Sequence, residues 1–154
     1  MRKFLYLSNA QRFSDFALLL MRLVVGLFLI AEVWDNISDP ADMTRFVEFL
    51  RQHHFAAPAI LARVSVYTQF AVGIAFVLGL FTRWAGILCV INFVVAIVMV
   101  DRFGGMRECF PSACLVVIGL YLATHGAGRF SLDSALKANE SPRSRSNGGV
   151  RLKK

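Results

Sequence analysis

Charge is scarce in this 154-residue chain: 18% of its residues are Asp, Glu, Lys or Arg, against ~25% in an ordinary soluble domain. Cysteine is scarce too. The three cysteines include no Cys-x-x-Cys pair, which argues against a disulfide framework, a thioredoxin-type couple and an iron–sulfur ligand set. Cys89 and Cys114 fall in apolar runs and read as small buried hydrophobes, while Cys109 near a helix start reads as the more reactive one. Of the three histidines, His53 and His54 are adjacent but lack companion ligands, so no metal site is expected. No glycine-rich dinucleotide motif follows a strand, and no haem or flavin pattern is visible. The formal charge is +7, but seven of the seventeen Lys and Arg lie from Arg129 onward in a Ser/Asn/Gly-rich tail. With no recognition motif beside it, that charge reads as contact with anionic lipid and not with nucleic acid.

What the chain has instead is oil. It is 56% hydrophobic, and GLFTRWAGILCVINFVVAIVMV from Gly79 to Val100 joins one apolar run to the next through Thr82-Arg83-Trp84. Each run is long enough to cross ~30 Å of hydrocarbon at ~1.5 Å per helical residue. A chain this small cannot bury such segments in a protein core, so they face lipid. The expected fold is all-α, a four-helix transmembrane bundle with spans at about 15–34, 59–81, 84–100 and 108–124. Residues 1–14 read as a basic interfacial lead with Arg2 and Lys3, followed by an uncleaved first span. The membrane domain is expected over 15–135, and 136–154 as a basic, disordered cytoplasmic tail.

The one sizeable loop, 35–58, has Met43, Phe46, Val47, Phe49 and Leu50 at helical spacing among charged residues. It predicts an external amphipathic helix over 42–54. Four spans put both termini on one side. Eleven Lys and Arg fall on that side and five on the other, with Arg22 inside the membrane. The positive-inside rule then makes both termini cytoplasmic.

Ionisable groups inside spans cost about 2.5–3.5 kcal/mol on insertion and demand a role, and the polar residues of the spans are few. Here they are Arg22, Glu32, Gln69 and Asn92. With the spans so oriented, Glu32, Gln69 and Glu108 converge on a pocket at the outer face, with Asn92 as its floor. A carboxylate in low dielectric can exchange a proton, and an amide can hydrogen-bond the carbonyl of a lipophilic ligand such as a quinone. The competing reading has Glu32 reaching the headgroups while Gln69 and Asn92 tie helices together. Arg22 lies roughly 15 Å from Glu32 along the helix, and reads as snorkelling, as pairing across helices or as an anion contact. His125 is expected to cap the last span. Ala71, Ala75 and Gly79 form a small-xxx-small stripe for packing within the bundle or between copies.

LLLMRLVVGLFLIAEVWDNI, GIAFVLGLFTRWAGILCVINFVVAIVMV and GAGRFSLD, in that order, resemble the DoxX family of small four-helix bacterial membrane proteins. The resemblance spans about residues 16–135. It implies an integral protein of a bacterial inner membrane, related to the DoxD-type subunit of a thiosulfate–quinone oxidoreductase. Many relatives carry an acidic residue where Gln69 stands and a histidine near Glu32, so this chain departs from them at both places. The resemblance carries location and fold better than reaction.

The functional expectation is a membrane subunit of a quinone-linked redox complex, with Glu32 as proton carrier, Gln69 and Asn92 as hydrogen-bonding positions, and Glu108 and Arg22 as further ligand contacts. Two alternatives stay open. One is a non-catalytic scaffold recruiting soluble redox enzymes; the other is a small carrier or exporter, which would need a homo-oligomer.

Overall fold

Gly79 does most to set the chain's path. Its left-handed backbone (φ 66°) ends one long helix, and after Leu80 and Phe81 the next begins at Thr82. The computed structural model describes residues 13–140; residues 1–12 of the expected 1–14 lead, and the part of the expected tail beyond 140, lie outside the described residues. Four helices take up the apolar runs: α1 (Ser14–Ser38), α3 (Pro58–Leu78), α4 (Thr82–Met99) and α5 (Met106–His125). All four are long and apolar enough to cross a membrane. The shorter α2 (Pro40–Gln52) joins α1 to α3, a 3-10 turn (Asp101–Phe103) joins α4 to α5, and α6 (Leu132–Glu140) follows the last span.

The expected bundle is present, with shifted ends. The hairpin turn is Gly79–Phe81 and not Thr82–Trp84, because the glycine stops α3 before Phe81. α5 starts two residues before the expected 108, which puts Pro111 past the first turn, where its missing N–H leaves a gap in the helical ladder. α6 crosses the expected boundary at 135/136.

Packing pairs α1 with α3 and α4 with α5, and the two pairs meet through α3 and α4. Each pair closes at a glycine contact. A Cβ on Gly73 would stand 2.8 Å from the carbonyl oxygen of Gly26, and one on Gly86 would stand 2.6 Å from that of Gly119. Small residues let membrane helices touch backbone to backbone, where dispersion and weak polar contacts replace a hydrophobic drive that lipid does not supply. The tight approach is therefore at Gly73, not along Ala71–Ala75–Gly79, and Ala71 faces outward. The core is small: Leu18, Val25, Leu29, Val72, Phe76, Ala85, Cys89, Leu115 and Leu122. Leu27, Phe28, Ile87, Ile91, Val94, Val98, Val117 and Leu120 are exposed and give the bundle an oily outside. An apolar surface of that extent is stable only against lipid.

The two ends of the bundle differ. At the end that carries the start of α1, segment 126–133 folds back over the α3–α4 hairpin. The Asp133 carboxylate accepts from the backbone N–H groups of Phe81 (2.9 Å) and Thr82 (3.1 Å), capping α4 and holding Phe81 at a positive φ of 50°. The Asp133 N–H in turn donates to the Gly79 carbonyl at 3.0 Å. α2 lies across the opposite end, against α1 and α3. Asp39 caps it through the Ala41 N–H (2.8 Å) and Pro40 occupies its first turn, which starts the helix two residues before the expected 42.

Candidate functional site

Between α1, α3 and α4, under α2, lies a cleft of about 600 Å³. Its lower wall is mixed. Ser65 and Gln69 project from one face of α3, one turn apart, and meet Asn92 on α4. The Gln69 side-chain N–H donates to Ser65 Oγ (3.1 Å), and the Ser65 hydroxyl donates to Asn92 Oδ1 (2.9 Å). This relay ties α3 to α4 and leaves the Asn92 amide N–H groups as donors beside the cleft. Glu32 and Asn36 enter from α1, and Asn36 donates to the Asp42 carbonyl on α2 at 3.2 Å. Phe46, Phe49 and Leu50 of α2 form the apolar cover. Leu61, Val64, Leu88, Ile91 and Val95 line the cleft and are also exposed on the outside of the bundle. The cleft therefore borders the lipid-facing surface between α3 and α4.

Three of the five residues singled out from the sequence line this cleft: Glu32, Gln69 and Asn92. Glu108 does not. It is exposed on α5, with its carboxylate beside Gly104. Arg22 is at the other end of the bundle, only 1% exposed. Its Nε donates to the Phe76 carbonyl (3.0 Å), and one terminal nitrogen donates to the Phe130 carbonyl (3.1 Å) and to that of Ala127. Phe76 is in the last turn of α3, where carbonyls have no partner within the helix and a cation is favourable. Arg22 thus fastens α1 to α3 and to the returning segment, and its donors face backbone.

Two further cleft residues carry only a faint signal in the sequence. Ser65 is marked by its place one turn before Gln69. Asp101, at the end of the third span, is marked only as bordering a turn. It lines the cleft, and its Oδ2 is shut off from solvent with no hydrogen-bond partner; among the described residues, the one other such side-chain oxygen is Thr82 Oγ1. An orphaned acceptor of this kind costs about 1–3 kcal/mol.

The remaining polar side chains have local roles. His125 stacks on Tyr121 at 5.0 Å between ring centroids, and His53 lies against Phe49 at 4.3 Å and bonds its carbonyl through Nδ1. Cys89 is buried against the Leu115 carbonyl, while Cys109 and Cys114 are half-buried and all three are free.

Four apolar helices with an oily exterior and a polar-floored cleft define a multi-pass integral membrane protein in a bilayer. More narrowly, the chain belongs to the DoxX family, whose model matches residues 17–102, over half of its length. The matched stretch holds α2 to α4, nearly all of α1 and every cleft residue; α5 and segment 126–133 follow it. Searches of curated proteins and of solved structures give no significant match.

Proposed function

We propose that this DoxX-family protein is the membrane subunit of a quinone-linked redox system, sits in a bacterial inner membrane with both termini cytoplasmic, and takes its ligand in the α1–α3–α4 cleft. The observation that carries this reading is the hydrogen-bonded relay Gln69–Ser65–Asn92 at the wall of a largely apolar cleft bordering lipid. A ring-shaped lipophilic molecule finds apolar walls there and amide donors for its oxygens, the pattern of a small-molecule site. Asn92 and Gln69 orient the head group, and Glu32, at the rim, exchanges a proton with it. Bound quinone would supply the two-electron chemistry; this chain supplies binding, orientation and the proton path. The orientation follows from the excess of Lys and Arg on the terminal side of the bundle. Arg22 and Glu108 are not part of the proposed site.

Tryptophan fluorescence tests this. Trp34 lies two residues from Glu32 with its ring 6.3 Å from Phe70, while Trp84 is at the opposite end. In a Trp84→Phe background, a decyl-substituted benzoquinone should quench Trp34 saturably. Asn92→Leu or Gln69→Leu should weaken the apparent affinity about tenfold, the worth of a net hydrogen bond of ~1.4 kcal/mol. Quenching that rises linearly and equally in all three proteins is partitioning into detergent and removes the site.

A further inference from the structure

We propose that Asp101 accepts a hydrogen bond from the head group of the bound molecule, so that the cleft holds donor-bearing heads, such as a quinol, more tightly than donor-less analogues such as the matching quinone. The quinol case rests on the quinone-linked function proposed for the cleft; the acceptor role of Asp101 does not.

The cleft's hydrogen-bond inventory points this way. Its polar lining carries two carboxylates, Glu32 and Asp101, and among the described residues no Lys, Arg or His. Arg63 and Arg102 are near in sequence but are engaged elsewhere: Arg63 donates to the Ala59 carbonyl, and Arg102 lies over the Phe103 ring at 4.6 Å. Asn92 Oδ1 and Ser65 Oγ already accept within the relay. Glu32 is exposed and can be solvated at the membrane surface. Asp101 is only half-buried, but its Oδ2 is shut off from solvent and has no partner. It also follows the end of α4, where helix carbonyls concentrate partial negative charge. An acceptor left bare in such a place is satisfied by a donor that arrives with the ligand. An anionic head group would meet the repulsion of two carboxylates with no cation in the lining to offset it.

The test uses the full chain in lipid nanodiscs, kept anaerobic, with tetramethylhydroquinone, tetramethylbenzoquinone and decylammonium as probes in equilibrium dialysis. The hydroquinone should bind at least about tenfold more tightly than the quinone, as a hydrogen bond to a charged acceptor implies. Asp101→Asn removes the charged acceptor and adds a donor that suits a quinone carbonyl, so it should bring that ratio close to one, and Asp101→Ser repeats the measurement should the first variant fold poorly. A ratio near one in the parent, or one that survives both substitutions, overturns the proposal. If neither quinone form binds but decylammonium does, and loses affinity with Asp101→Asn, the quinone reading falls and the acceptor role stands with a cation as donor. If no probe binds, both fall.

Discussion

Arg22→Met should be the most destabilising single substitution in the bundle. Methionine fills much of the same volume but donates nothing. The carbonyls of Phe76, Ala127 and Phe130 would lose their partner in a place that is 1% exposed, with no water to replace it. A buried carbonyl left without its donor costs about 1–3 kcal/mol, and three are left at once, out of a total stability of about 5–15 kcal/mol. The loss is also one of connectivity, since the three carbonyls belong to α3 and to the segment that brings Asp133 to the N-terminus of α4. Heating in detergent followed by size-exclusion chromatography should show the folded peak vanishing at a temperature lower by on the order of 10 °C. Arg22→Lys should recover part of this, since an ammonium restores charge but not the planar fork that reaches several carbonyls. An unshifted transition for Arg22→Met would mean that the clasp is not what holds this end closed.

Gly86→Ala comes next, although it adds only a methyl group. The new Cβ would meet Gly119 O at 2.6 Å and Ala123 N at 2.7 Å, both backbone atoms that cannot turn aside. α4 and α5 would have to separate along their whole contact, the most extensive in the bundle. Overpacking of this kind costs about 1–3 kcal/mol, and here it lies at the upper end because no side chain can yield. Gly104→Ala is the control. Its methyl meets the exposed side chain of Glu108, which swings away. In the same heating assay Gly86→Ala should fall well below the parent and Gly104→Ala should track it. Equal transitions would show that the glycine contact is not set by sterics.

The parts of this architecture that lie within one helix are legible in the sequence, and the parts that lie between helices are not. Hydropathy and length mark the four spans because lipid leaves no other use for such runs, and α2 shows itself by its 3.6-residue rhythm. Turn positions slip by a few residues: Gly79 ends α3 through its own backbone freedom, and the apolar residues around it conceal the stop. Counting residues from the span ends places Glu32 and Gln69 near one end with Asn92 beneath them, and all three line the cleft, but the same count brings in Glu108, which does not. Arg22 cannot be assigned a partner in this way. Its acceptors are backbone carbonyls 54, 105 and 108 residues away, and a carbonyl has no signature in sequence. The same holds for the pairing of Gly26 with Gly73, since spacing along one helix tells which residues share a face and not what they face. GLFTR and GRFSLD, which carry part of the family likeness, meet as the hairpin and the cap around Arg22, so these motifs serve the fold. The cleft residues are scattered single letters without a motif.

If the cleft holds a small lipophilic molecule taken from the membrane, that molecule should travel with the protein. Native mass spectrometry tests this most directly, on protein released gently from its own bilayer, beside an Ala96→Phe variant in which a ring fills the cleft wall. The expected result is a co-purifying small molecule with a quinone mass on the parent and none on the variant, with both proteins equally folded. A parent that carries no such molecule, or one that holds a soluble protein instead, contradicts the proposed site and turns attention to a scaffold.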